Sequence, residues 1–128
     1  MKRQILIVDD ELSILKLLNF ILSGEYDLVI KQNGLDALRW LEEGNVPAVI
    51  ISDLEMPYVD GSTFIRNLKI SGYYRNIPVI LLSGADDLDE IVRDMPFQAD
   101  RVFKKPFNPA KLKTFIEDAL GQPDVTRI

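Results

Sequence analysis

The sequence predicts an α/β fold, a central parallel sheet wound on both faces by helices. Three observations predict it. Short continuous apolar runs over residues 5–8, 46–51 and 77–82 read as strands covered on both sides, as parallel strands are. The stretches between them carry helical periodicity. No repeat, low-complexity tract or interior linker breaks the alternation, so residues 1–121 are expected to form one domain, with 122–128 a tail or the start of a linker.

Ile5-Leu6-Ile7-Val8 is the first strand, and it ends in Asp9-Asp10-Glu11. Leu12, Leu15, Leu18 and Leu22 then recur at helical spacing, widened by Ile14, Leu17 and Ile21, until Gly24 ends the helix. Leu28-Val29-Ile30 is a shorter strand. Asn33-Gly34 opens a helix with Ala37, Leu38 and Leu41 on one face, and Gly44-Asn45 stops it. The run from Val46 to Ile51 is the third strand and delivers a carboxylate, Asp53, to a loop containing Pro57. After Asp60-Gly61, with Asp60 or Ser62 as cap, Phe64, Ile65 and Leu68 mark a third helix. The fourth strand, Ile77 to Leu82, has Pro78 near its start, where a missing amide hydrogen is tolerated, and ends at Ser83-Gly84. A short helix over 86–94, limited by Pro96, precedes a last strand, Arg101-Val102-Phe103-Lys104, which runs into Lys105-Pro106-Phe107. Asn108 caps the final helix, Pro109 sits in its first turn, and Leu112, Phe115, Ile116, Ala119 and Leu120 form its apolar stripe.

Composition narrows the chemistry. The 128 residues contain no cysteine and no histidine, which excludes disulfides, thiolate nucleophiles, His- or Cys-bound zinc, catalytic triads and a phosphohistidine relay within this chain. Carboxylates, hydroxyls, lysines and backbone amides remain, with a hard metal ion as their natural companion. Fifteen basic against twenty acidic side chains give a net charge of -5, which argues against a non-specific grip on nucleic acid or an anionic membrane. The apolar runs stop well short of a membrane span, and acidic residues come too early for a signal peptide, so a cytoplasmic setting is expected.

In an open doubly wound sheet, ligands bind beyond the carboxyl ends of the strands. The polar residues that follow a strand here are Asp9, Asp10, Asp53, Ser83 and Lys105. Each has a plainer reading alone. Asp53 could only start a turn, Asp9 or Asp10 could only cap a helix, Ser83-Gly84 could be a loop, and Lys105 could be a solvated lysine. Together they argue for one site at one edge.

Four motifs carry a closer resemblance. Ile7-Val8-Asp9-Asp10-Glu11, Ile51-Ser52-Asp53-Leu54-Glu55-Met56-Pro57 with Asp60-Gly61, Leu81-Leu82-Ser83-Gly84, and Lys105-Pro106-Phe107 occur in this order across nearly the whole chain. The sequence resembles the receiver domain of two-component response regulators, which have the chemotaxis-regulator-like (βα)5 flavodoxin-like fold with a five-stranded parallel sheet. The resemblance implies that Asp53 accepts a phosphoryl group from a histidine kinase or phosphotransfer protein. It implies Mg²⁺ held by Asp9, Asp10, Asp53 and the backbone carbonyl of Glu55, with Ser83 binding the phosphoryl oxygen and Lys105 pairing with the phosphorylated side chain. It also implies a cis Lys105–Pro106 bond, self-catalysed phosphorylation and slow autodephosphorylation, and a switch read by an effector, a partner or a homodimer through the last two strand-helix units.

The residue types suit that chemistry. Crowded carboxylates raise one another's proton affinity, and an all-oxygen set relieves this by taking Mg²⁺. Asp53 is a carboxylate nucleophile of the kind that forms acyl phosphates. Lys105 adds about 4 kcal/mol of attraction per charge at 4 Å in an effective dielectric of 20, before desolvation. Ser83 can donate its hydroxyl, and Gly84 is expected to let the backbone approach closely.

Two departures stand out. Receiver domains commonly carry an aromatic residue three positions before the lysine, where this chain has Val102, a β-branched side chain with no ring to swing. Phe103 is adjacent, but strand alternation points it to the other face. Met95-Pro96-Phe97-Gln98-Ala99 also replaces the small, Gly-containing turn usual before the last strand. These changes leave room for a phosphorylation-independent interaction module of the same shape. A third class, an aspartyl phosphohydrolase resembling the haloacid-dehalogenase-like enzymes, requires an aspartate where Glu55 stands and a cap insertion for which there is no length.

Overall fold

A computed structural model describes residues 2–56 and 58–121. The tail expected over 122–128, and Pro57 of the third-strand motif, lie outside the described residues. In order, the elements are β1 (Arg3–Val8), α1 (Leu12–Leu22), β2 (Tyr26–Lys31), α2 (Gly34–Glu42), β3 (Val49–Asp53), α3 (Gly61–Lys69), β4 (Val79–Ser83), α4 (Leu88–Asp94), β5 (Arg101–Lys104) and α5 (Pro109–Leu120). The strands form one parallel sheet in the order β2-β1-β3-β4-β5. The chain moves from β1 outward to β2 and then returns to the opposite side of β1 as β3. The topological switch therefore falls between β1 and β3, where Asp9 and Asp53 end their strands.

Strand alternation divides the core into two layers. Ile5, Ile7, Val49, Ile51, Ile80, Leu82 and Phe103 face α1 and α5. Leu6, Val8, Ile50, Val79 and Leu81 face α2, α3 and α4, and half-buried Val102 packs on that side. Val102 and Phe103 thus point to opposite faces, as their spacing predicts. Burial on both faces is why these strands read as unbroken apolar runs rather than as alternating ones.

Several boundaries differ from the sequence reading for local reasons. β3 begins at Val49 rather than Val46. Pro47 has no amide hydrogen to offer, Val46 is exposed, and the chain joins the sheet only where Ala48 N donates to Gln4 O at 2.8 Å. β2 is longer than its apolar run because Tyr26 and Lys31 pair with Arg3 and Val8 of β1. In α1 the buried stripe is Ile14, Leu15, Leu18 and Leu22, whereas Leu12 is 63% exposed. Leu12 stands at the first helical position and, at 100° per residue, to one side of that stripe. α4 starts at Leu88, not Asp86, and gives way at Met95, whose ψ of 131° is the extended conformation imposed by Pro96. Gln98 Nε2 then donates to Val92 O at 2.8 Å and Met95 O at 2.9 Å, satisfying carbonyls at the helix end. The unusual 95–99 segment is thereby bound to the fold, with Met95 buried and Phe97 packed against the core.

Caps set the helix starts. Asn33 accepts from Asp36 N, Asp60 from Thr63 N, and Asn108 from Ala110 N and Lys111 N. Asp60, not Ser62, therefore caps α3. Gly61 has the more demanding position. A Cβ there would lie 2.7 Å from both Asp53 O and Leu54 Cα, so α3 can start against the strand that ends at Asp53 only because residue 61 has no side chain. Gly61→Ala is expected to lower stability in urea unfolding by about 2 kcal/mol through overpacking of backbone. Gly24→Ala, with nothing within 4 Å of the new Cβ, should change it by less than about 0.5 kcal/mol.

Candidate functional site

The sheet ladder runs one step past several strand ends and fixes the site's backbone. Asp9 N donates to Lys31 O at 3.1 Å, Leu54 N to Leu82 O at 2.9 Å, and Lys105 N to Ser83 O at 2.7 Å. Among the described residues the buried polar side chains are Asp9 (1% exposed), Ser52 (0%), Asp53 (5%) and Ser83 (0%). Three of these four are expected site residues. Buried polar groups are costly unless they are satisfied, and this concentration of them at one edge marks a built site.

Asp9, Asp10 and Asp53 each present a carboxylate oxygen within 4.8 Å of the others. Asp10 is exposed and opens the cluster to solvent. Asp9 Oδ1 accepts from Glu11 N at 2.8 Å, which pins the turn into α1. Neither aspartate is the helix cap, since Glu11 holds that position and makes no side-chain cap bond. Lys105 is no solvated surface lysine either. Its side chain is 13% exposed, and Nζ lies 3.3 Å from Asp9 Oδ2, 3.1 Å from Glu11 Oε1 and 3.5 Å from Asp53 Oδ1. The last of these is an ion pair without hydrogen-bond geometry, so Asp53 Oδ1 remains a buried oxygen with no hydrogen-bond partner. The Lys105–Pro106 peptide is cis.

The electrostatics follow from this packing. Burial first, and then the charge of Asp9, push the Asp53 carboxyl up from 3.8 to about 6, with Lys105 opposing and Glu55 adding to the rise. Burial also raises Asp9, against the hydrogen bond from Glu11 and the attraction of Lys105. For Lys105, burial works to lower proton affinity, but Asp9 and Asp53 outweigh it and leave the ammonium favoured.

Two features escaped sequence reasoning. Ser83 Oγ donates to Glu55 Oε1 at 2.6 Å and accepts from Ala85 N at 3.0 Å. The Glu55 side chain is therefore part of the site, not only its backbone. No periodicity signals such a contact, although the pairing of Asp53 with Leu82 sets residues 55 and 83 just beyond the same rung. Glu11 likewise joins through Lys105. Gly84 corrects an expectation: a Cβ there would meet only Lys105 Cβ at 3.9 Å, an ordinary contact, so close approach does not require glycine.

Residues 5–117 match the family described as the response regulator receiver domain. The chain belongs to that family. It is similar to the response regulator Rre1 of Synechocystis, with 28% identity over 120 residues, 92% of this chain and 52% of that one. Among solved structures it resembles the signal receiver domain of a signal transduction histidine kinase from Syntrophus aciditrophicus, at 33% identity, 94% coverage of each chain and a TM-score of 0.84. It also resembles the chemotaxis response regulator CheY4 of Vibrio cholerae, at 25% identity, 94% coverage of this chain, 100% of that one and a TM-score of 0.79. The chain spans about half the length of curated relatives such as Rre1. It is a phosphoacceptor receiver domain of the two-component response regulators, with the flavodoxin-like α/β architecture of that family. Among the described residues no helix is long and apolar enough to cross a membrane.

The receiver domain's raised Asp53 sets a pH dependence. The folded state binds this proton more tightly than the unfolded chain, so its contribution to stability is fully present below about 3.8. It is lost as pH rises to about 6. That interval corresponds to roughly 3 kcal/mol at most. In metal-free buffer, Asp53→Asn should therefore gain stability over wild type as pH rises from 4 to 6. A chemical-denaturation series at several pH values checks this by the difference between the two proteins.

Proposed function

We propose that Asp53 is the phosphoacceptor and that Asp9, Asp10, Ser83, Lys105 and the backbone carbonyl of Glu55 complete its site. The observation that carries this is the buried, unpartnered Asp53 Oδ1 beside the Asp9 and Asp10 carboxylates and 3.5 Å from the Lys105 ammonium. With Asp53 pushed up to about 6, most of the population is ionised at neutral pH and available as a nucleophile. The Asp53 carboxylate attacks phosphorus, the bond from phosphorus to the donor's leaving group breaks, and an acyl phosphate remains on the side chain. Lys105 is already inside the site to pair with the new charge, and the Ser83 hydroxyl, which donates to Glu55 at rest, would turn to a phosphoryl oxygen after transfer.

The donor set fits Mg²⁺. Three carboxylates, one of them open to solvent, and a carbonyl are hard oxygen ligands, and few carboxylates with space for water suit this ion better than Ca²⁺. When bound, Mg²⁺ neutralises carboxylate and phosphoryl charge, the main requirement of phosphoryl transfer. Asp9, Asp10, Asp53 and the Glu55 carbonyl would hold it.

On this reading the domain takes its phosphoryl group from a histidine kinase or a phosphotransfer protein in the cytoplasm and catalyses its own phosphorylation and slow autodephosphorylation, without turning over external substrates. Its output passes to an effector or partner, or into a homodimer, through the last two strand-helix units, β4-α4 and β5-α5. Val102, which lacks a ring, lies in the second of these.

Intact mass after incubation with acetyl phosphate tests the assignment. One phosphoryl adduct is expected on wild type with Mg²⁺, and none is expected without Mg²⁺ or on Asp53→Asn. An adduct that persists in Asp53→Asn would move the acceptor elsewhere.

A further inference from the structure

Ser83 has one hydroxyl hydrogen, and in this structure it is already committed. It points to Glu55 Oε1 at 2.6 Å, within the range of a charge-assisted O–H···O⁻ bond. The other side of the hydroxyl accepts from Ala85 N, and Ser83 is fully buried, so in this arrangement its single hydrogen has no second acceptor while Glu55 holds it. If Ser83 is to hold a phosphoryl oxygen, the Glu55 carboxylate must first let go.

The geometry points to Glu55 as a latch: its carboxylate occupies the Ser83 hydroxyl in the resting protein, in the role a phosphoryl oxygen takes after transfer. Glu55 is a positioning residue that acts through Ser83. The inference rests on the phosphoacceptor reading of Asp53 and adds a regulatory residue to it. The two acceptors are alike in kind, anionic oxygens competing for a single donor, so occupation of one excludes the other. Glu55 is itself exposed and lines, with Leu54, Met56, Asp60, Ser62 and Ile91, an open cleft of about 540 Å³ between the β3–α3 loop and α4. Release of the carboxylate alters a wall shared with Ile91 of α4. On this proposal the Glu55 carboxylate, which shares that cleft with Ile91, is a link from the site towards α4 that uses no aromatic ring at position 102.

The test is binding of fluoroberyllate with Mg²⁺, read by calorimetry and by the ¹⁹F resonance of the bound anion, in wild type, Glu55→Asp, Glu55→Gln and Glu55→Ala. Glu55→Asp keeps the charge but is one methylene short of the Ser83 hydroxyl, so it separates the latch from simple repulsion of an anion. Glu55→Asp and Glu55→Ala are expected to bind about 10-fold more tightly than wild type, equal to about 1.4 kcal/mol. Glu55→Gln, which still offers a neutral acceptor, should fall between. In a Ser83→Ala background, Glu55→Asp should no longer matter, since there is no hydroxyl to release. Wild-type affinity in Glu55→Asp, with tighter binding only in Glu55→Gln and Glu55→Ala, would leave charge repulsion alone and overturn the latch. The latch also falls if the Glu55→Asp effect persists without the Ser83 hydroxyl. Absence of binding in all four proteins would instead overturn the phosphoacceptor reading, and the latch with it.

Discussion

Two buried aspartates from adjacent strands, a third carboxylate at their rim and a single ammonium between them are the constraint on which this molecule turns. Asp9 and Asp53 leave water at the same edge of the sheet, burial raises the proton affinity of both, the charge of Asp9 adds to the rise at Asp53, and Lys105 compensates only in part. Three negative charges against one positive make the resting site electrostatically unfavourable. On the proposed reading this is put to use, because a site short of positive charge favours a divalent cation and keeps an ionisable carboxylate beside it. On the proposed assignment, removing any one carboxylate would relax this repulsion and also remove a Mg²⁺ ligand or the nucleophile.

The rest of the fold reads as what holds this arrangement in place. The crossover from β2 to β3 puts the ends of β1 and β3 side by side. Ladder bonds that continue beyond the strands fix Asp9 and Lys105, and Gly61 allows α3 to start directly against the Asp53 carbonyl. The two apolar layers supply burial on either side of the sheet, and that burial is the leading cause of the raised Asp53 carboxyl. Packing and electrostatics are therefore one argument here. The strands that exclude water from the core also exclude it from the carboxylates at their ends.

Much of this was legible in the sequence, and the portions that were not share a cause. All ten elements, the single parallel sheet and the gathering of Asp9, Asp10, Asp53, Ser83 and Lys105 could be read because apolar periodicity and strand-end position are local signals. Val46 misled because an apolar residue before Pro47 looks like strand, whereas the amide hydrogen that proline lacks decides where pairing begins. Leu12 misled because leucine at helical spacing reads as part of the stripe, although its position falls to one side of the buried face that Ile14 and Leu15 begin. The Glu55–Ser83 bond and the Glu11–Lys105 pair were invisible because they depend on how far side chains reach across strand ends. Gly84 shows the opposite error, a conformational need inferred from residue type that the surroundings do not impose.

The central claim is that Asp53 is a carboxylate held out of its ordinary range by burial and by Asp9, and that a divalent cation relieves it. Carboxyl ¹³C titration of the protein, with Asp53 assigned by comparison with Asp53→Asn, measures this directly. The account predicts a midpoint near 6 for Asp53 in metal-free buffer and a clear downward movement on adding Mg²⁺. A midpoint near the ordinary 3.8, unmoved by Mg²⁺, would contradict it.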